Sequence, residues 1–244
     1  MRIPALILLA AASAAAYAAG PAPRLWEAVR PSDPGLHIYV LAATAHGLPL
    51  EYDSYFDNVV LPAFSQAEVL HYEGAGGLPP DAYPPCAPGL RAQDEAVRGP
   101  GQGAVAFALR ERRPQMRVAD LDPVPLPGMS YCSMGRGRIA LAPLAGSEPR
   151  SSQAELAALA EGEAPPGLDP AAICPRNARW LRTLSGLRDG RTHFVVADVQ
   201  HVRDVEAPAG RCRGILNGLL EAGFVVWPVA EFRPIAEYRP LPKP

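Results

Sequence analysis

The chain has 244 residues, 23 Lys plus Arg against 25 Asp plus Glu, and a formal net charge of −2. So even a balance excludes a basic nucleic-acid binder and offers no electrostatic pull towards an anionic membrane surface. The length suffices for one sizeable core, and 29 prolines predict long irregular connections.

The N-terminus begins Met1-Arg2-Ile3-Pro4 and then runs apolar from Ala5 to Ala16. A positive start followed by a short apolar stretch is the pattern of a secretory signal peptide. Ala16-Tyr17-Ala18 supplies the small-x-small cleavage pattern. The stretch falls short of the roughly 20 apolar residues that a spanning helix needs. The expected organisation is a signal peptide over 1–18, a single domain over 19–230 and a Pro-rich tail over 231–244. After cleavage the protein is expected to be periplasmic or secreted and not integral to a membrane.

Leu25 to Val29 and Leu36 to Thr44 are apolar runs separated by Pro31-Ser32-Asp33-Pro34-Gly35, whose residues favour a turn. They read as a β-hairpin, and the second run, apolar on both faces, reads as a central strand. Asp57 to Ala67 reads as a helix with Pro62 in its first turn or bending it. A short strand over Glu68 to Glu73 follows, then a Gly- and Pro-rich loop from Gly74 to Gly89 and a brief helix over Leu90 to Arg98. Ala104 to Arg110 fits either strand or helix, and Leu121 to Gly128, with three prolines, cannot be a central strand. Ser152 and Glu155 form a capping-box pattern for a helix to about Glu163, and Asp169-Pro170 opens another that turns Ile173, Trp180, Leu181 and Leu184 inwards. Thr192 to Val199, Cys212 to Ala222 and Phe224 to Val229 read as strand, helix and strand, a βαβ unit with parallel strands and a right-handed crossover. The class expected is α/β, or α+β, with a mixed, largely parallel central sheet flanked by helices. The tail echoes itself in Glu231-Phe232-Arg233-Pro234 and Glu237-Tyr238-Arg239-Pro240 and is expected to pack along the body.

Cys86, Cys132, Cys174 and Cys212 form an even set without the close pairs of a structural zinc site, which in an oxidising compartment implies disulfides. Three pairings are open. Locality favours Cys86 with Cys132 and Cys174 with Cys212.

Three apolar strands hand over at or just beyond their carboxyl ends to His46, Glu73 and His201. In open α/β sheets ligands bind at that edge, where groups distant in sequence converge. Two imidazoles and a carboxylate are what a catalytic divalent metal needs if positions are to stay open for water and substrate. His71 shares a strand face with Glu73 through two-residue alternation and is a candidate supporting partner. His37 and His193 lie near the beginnings of their strands, the wrong end.

The stretch Leu25-Trp26-Glu27-Ala28 and the run from His37 to Thr44-Ala45-His46-Gly47 resemble the opening of the TraB/GumN family, which includes the Tiki proteins. There a tryptophan-bearing hairpin strand precedes an apolar strand ending in Gly-x-x-His. Glu73 corresponds to the family's glutamate, Arg176-Asn177 to its Arg-Asn pair, and Phe194 to His201 to its second Gly-x-x-His strand. The closing helix and strand match Gly214-Ile215-Leu216 through Gly223-Phe224-Val225-Val226. The resemblance covers about 24 to 75 and 170 to 230. It implies a metal-dependent hydrolase, peptidase-like in some relatives, with His46, Glu73 and His201 as metal ligands to manganese, cobalt or zinc. Glu73 also serves as general base, and Arg176 holds Glu73 or stabilises the developing oxyanion. Thr44, Asn177 and Asp198 are further supporting candidates. The implied substrate is a peptide or cell-surface material. This sequence departs from the family in its shortened, proline-rich middle and in replacing both motif glycines, by Ala43 and Asp198. Those replacements define an alternative, a catalytically degenerate relative acting as a periplasmic binding protein.

Overall fold

The computed structural model describes residues 24–43, 54–72, 109, 112–122, 130–135, 138–142, 152–165, 167–208 and 210–235. The expected signal segment, the loop over 74–89, the helix over 90–98 and the end of the tail lie outside them, as does the 104–110 stretch apart from Leu109.

Strand β1, Leu25–Arg30, and strand β2, Asp33–Ala43, form the expected antiparallel hairpin about Pro31 and Ser32, with an irregularity in register at Val29 and Arg30. Leu36 to Ala43 is buried at every position. A wide helical turn, Phe56–Val60, leads into α1, Leu61–Gln66. The Leu61 N–H reaches back five residues to the Phe56 carbonyl. Pro62 follows at the start of α1, so its missing N–H and its ring are accommodated by this loosened turn. The helix read over Asp57 to Ala67 thus becomes two pieces.

Strand β3, Val69–Tyr72, and strand β4, Arg117–Asp120, come next, followed by a separate two-stranded unit of β5, Ser130–Gly135, and β6, Arg138–Ala142. Helix α2 spans Ser152–Glu161 and helix α3 spans Pro170–Ser185. Asp169 caps α3, its side chain accepting the Ala171 N–H at 3.0 Å, with Pro170 in the first turn, where its missing N–H has no cost. Strand β7, Thr192–Asp198, a single turn of 3₁₀ helix, Val199–His201, helix α4, Ile215–Glu221, and strand β8, Val225–Pro228, complete the described chain.

The domain is α/β. Its main sheet has the order β4-β3-β7-β2-β1-β8. Strands β4, β3, β7 and β2 are mutually parallel, whereas β1 runs antiparallel to both β2 and β8. Each face carries its own core. Leu25, Tyr39, Leu41, Leu70, Phe194 and Val196 pack with Phe64 and its neighbours of α1 on one side. Ile38, Val40, Val195 and Ala197 pack with Trp180 and Leu184 of α3 and Ile215, Leu216 and Leu219 of α4 on the other. This alternation along β2 and β7 explains why neither strand shows a polar face in sequence.

Strands β7 and β8 share a direction, as the βαβ reading requires, but β2 and β1 lie between them. The doubly buried β2 takes the place beside β7. Strand β8, with Val225 and Pro228 exposed, takes an edge, where the proline removes no ladder bond. Helix α4 begins at Ile215 rather than Cys212, because Cys212 pairs with Val205 through backbone bonds in both directions. The start of the tail packs on the body: Phe232 joins the first core and the Ile235 N–H donates to Gln66 Oε1.

Cys174 and Cys212 form a disulfide with Cα atoms 5.6 Å apart, tying α3 to the segment before α4. It fits an oxidising compartment. Cys86 lies outside the described residues, so the Cys86–Cys132 pairing does too. Among the described residues no helix is long and apolar enough to cross a membrane.

Candidate functional site

Strands β3, β7 and β2 lie side by side and parallel, so their carboxyl ends share one edge of the sheet. Ala43, the last residue of β2, pairs with Asp198, the last of β7, and Tyr72, the last of β3, pairs with Val196. Thr44 and His46, one and three positions after Ala43, and Glu73, directly after Tyr72, lie outside the described residues.

Beyond β7 the chain turns sharply. Asp198 Oδ1 accepts the Gln200 N–H at 3.1 Å, closing a side-chain turn at the head of the 3₁₀ segment. An aspartate is suited to this position: it needs no left-handed backbone, its φ being −60°, and its carboxylate holds the turn that presents His201.

His201 is fully buried. Its Nδ1 lies 2.6 Å from Asn177 Oδ1, and Asn177 Nδ2 donates to the Arg213 carbonyl at 2.9 Å. A carbonyl only accepts, so it fixes which end of the amide is oxygen. His201 Nδ1 therefore carries the hydrogen, and the neutral ring has its lone pair on Nε2. Trp180 packs against the imidazole with ring centroids 4.3 Å apart. A histidine whose Nδ1–H is held by an acceptor is the arrangement that prepares Nε2 for a metal. That donor chemistry fits the implied ion, although no group of three or more metal-capable side chains is assembled among the described residues alone.

Arg176 has, among the described residues, a partner that the sequence does not single out. Its Nε and Nη2 both donate to Asp122 Oδ2, at 3.0 and 2.6 Å, while Arg179 Nη1 and Trp180 Nε1 donate to Oδ1 at 3.1 and 2.8 Å. Asp122 has no exposed side-chain surface, and only several charge-assisted donors make so buried a carboxylate tolerable. It orders three residues of α3, including the Trp180 that packs on His201. The Arg176 guanidinium also covers Trp180, 4.9 Å from the ring centre. Asp122 was invisible in the sequence because it sits at the head of a proline-rich stretch that reads as plain loop.

His71, expected to support Glu73, makes its described contact with His193, which the sequence reading set aside. His71 Nε2 lies 2.9 Å from His193 Nδ1, and His193 Nε2 lies 2.9 Å from Asp189 Oδ1. Burial, then the neighbouring His193, lowers the His71 pKa to about 3, with Asp189 opposing and Arg117 adding to the depression. His71 is therefore a neutral core residue. His37 bonds Glu27 Oε1 at 2.6 Å and the Pro34 carbonyl at 3.1 Å, tying the hairpin together far from the edge in question.

Just past His201, burial lowers the pKa of the Arg203 guanidinium from its ordinary value, opposed by Asp204. No family model, no curated protein and no solved structure matches this chain.

Proposed function

We propose that the chain is an exported, TraB/GumN-like metal-dependent hydrolase acting on peptides or cell-surface material, with His46, Glu73 and His201 as the ligands of a divalent manganese, cobalt or zinc ion. The reading is carried by one observation: the three strands that hand over to these residues are adjacent and parallel, with their carboxyl ends on one edge. Export is supported by the Cys174–Cys212 disulfide and the apolar leader of the sequence.

A bound divalent ion would supply an acidified water and polarise a substrate carbonyl. The chain's own residues do the rest. Asn177 keeps the His201 lone pair on Nε2, Trp180 fixes the ring plane, and Glu73 takes the proton of the attacking water as general base. Arg176, neutralised in part by Asp122, serves to stiffen α3 behind His201.

The test is metal analysis of the purified mature protein after exposure to manganese, cobalt or zinc. The expected result is one ion per chain, lost in His46→Ala and in His201→Ala. Unchanged metal content in both variants removes the site. A folded protein that takes up none of the three ions favours the degenerate binding protein, a reading motivated by Ala43 and Asp198 standing where the family has glycine.

A further inference from the structure

Arg203 stands two residues beyond His201, on the segment that leaves β7 at the same carboxyl edge. Its backbone is held from several directions. The Leu216 N–H donates to the Val202 carbonyl at 3.2 Å, the Gly214 N–H donates to Asp204 Oδ1 at 2.9 Å, and Val205 pairs with Cys212. Gly214 packs so closely that a Cβ there would lie 2.3 Å from the Arg203 carbonyl carbon. Arg203 is therefore presented by a fixed scaffold, the condition under which a binding group recognises its ligand without first being ordered.

The side chain is provided for only on one face. Its guanidinium lies 5.6 Å from the ring centre of Trp26, which sits on β1 opposite Val40. The Nε–H is shut off from water and meets no acceptor. The adjacent acid, Asp204, is already occupied by the Gly214 N–H and by Arg213 Nη1 at 2.9 Å. Among the described residues no carboxylate pairs with Arg203. A half-desolvated cation resting on an aromatic face recovers only part of what it lost in leaving water. With Nε closed off and the residue only half-buried, the two Nη groups remain as the open edge, a planar pair of donors.

We propose that Arg203 anchors a carboxylate of the ligand bound at the carboxyl edge of the sheet, most simply the free C-terminal carboxylate of a short peptide. The position of that ligand rests on the site proposed above. A carboxylate is favoured over a phosphate because a single guanidinium matches its charge and its two coplanar oxygens, while the arginines that follow, Arg211 and Arg213, are already paired with Glu206 and with Asp204 and Glu221.

The experiment is calorimetric titration of the purified mature protein with N-acetyl-Ala-Ala and, separately, with its C-terminal amide, each with and without chelator. The wild type is expected to bind the acid at least about tenfold more tightly than the amide, the scale of one charge-assisted bidentate contact. Arg203→Gln abolishes the preference. Arg203→Lys, which keeps the charge and the packing stem but not the planar edge, reduces it severalfold and serves as the folded comparison if the glutamine variant is unstable. Equal binding of acid and amide by the wild type, including no binding of either, overturns the proposal, as does a preference that survives in Arg203→Lys undiminished. The preference persists under chelation, so absence of a bound metal leaves it standing. Its own failure leaves the metal content unchanged.

Discussion

At the scale of single residues, the molecule buries several groups that cost free energy unless each is matched. Asp122 is the extreme case, with four donor groups from three residues of α3, Arg176, Arg179 and Trp180. Asp122→Asn removes the counter-charge of Arg176 and Arg179 and turns one acceptor into a donor facing other donors. It is expected to destabilise the fold by about 3–5 kcal/mol, as breaking one side of a buried ion pair does, measured as a shift in urea midpoint. His71 makes a prediction of a different kind. Its pKa is about 3 in the folded protein against 6.5 for the free side chain, so the unfolded chain binds a proton that the folded chain refuses. Stability contributed by the neutral ring is complete above pH 6.5 and is lost as pH falls from 6.5 towards 3, by up to about 1.4 kcal/mol per pH unit. Between pH 6.5 and 4.5, above the carboxylate range, urea midpoints of the wild type should fall steeply, while those of His71→Gln, which keeps a donor for His193 without a titrating ring, should fall less. Parallel slopes for the two proteins would show that His71 is not the group responsible.

At the scale of elements, the long apolar runs were legible and the polar partnerships between them were not. The hairpin, β7 and the capped start of α3 follow from local signals: continuous apolar runs, the Pro31-Ser32 turn and Asp169-Pro170. Local signals do not carry register. Only the pairing of β3 with β7, which sets Val69 opposite His193, brings His71 and His193 together, and only the packing of α3 beneath residue 122 gives Arg176 its partner. The fit of α3 against α4 is likewise a property of the pair. A Cβ at Gly218 would lie 2.3 Å from Leu181 Cδ2, whereas one at Gly214 would meet the backbone of Arg203 and Val202. Gly218→Ala is expected to cost about 1–3 kcal/mol through overpacking. Trimming the obstacle in Gly218→Ala/Leu181→Ala should return part of that loss, a coupling visible in a double-mutant cycle of unfolding free energies. Gly214→Ala has no side chain to trim and should be the more damaging change, with no rescue by Leu181→Ala. If both glycine variants respond alike to Leu181→Ala, the contacts across this helix pair are not as described.

At the scale of the whole molecule, the candidate site draws its parts from opposite ends of the chain, and what joins them is the sheet. The strand ends of β2, β3 and β7 were predictable as runs, and their shared edge follows once they are known to be parallel neighbours. The support behind His201 was only half legible: Asn177 stood out in the Arg-Asn pair, but the Arg213 carbonyl that orients it belongs to a backbone that no side-chain pattern reveals. The disulfide links these two supports directly. Cys174 lies one helical turn before Asn177, and Cys212 immediately precedes Arg213, so the covalent bond holds together the two segments whose hydrogen bond sets the His201 tautomer. Closing a loop of 38 residues is worth about 4 kcal/mol on the chain-entropy account. Replacing both cysteines in Cys174→Ala/Cys212→Ala should therefore lower the unfolding free energy by up to that amount. If His201 is a metal ligand, the same replacement should also weaken metal binding in the still-folded protein, within the roughly 10- to 100-fold range typical of lost supporting partners. Asn177→Leu should reproduce the affinity loss without the entropic part of the stability loss. A cysteine variant that is destabilised but binds metal as tightly as the wild type would confine the disulfide to folding and separate it from the site.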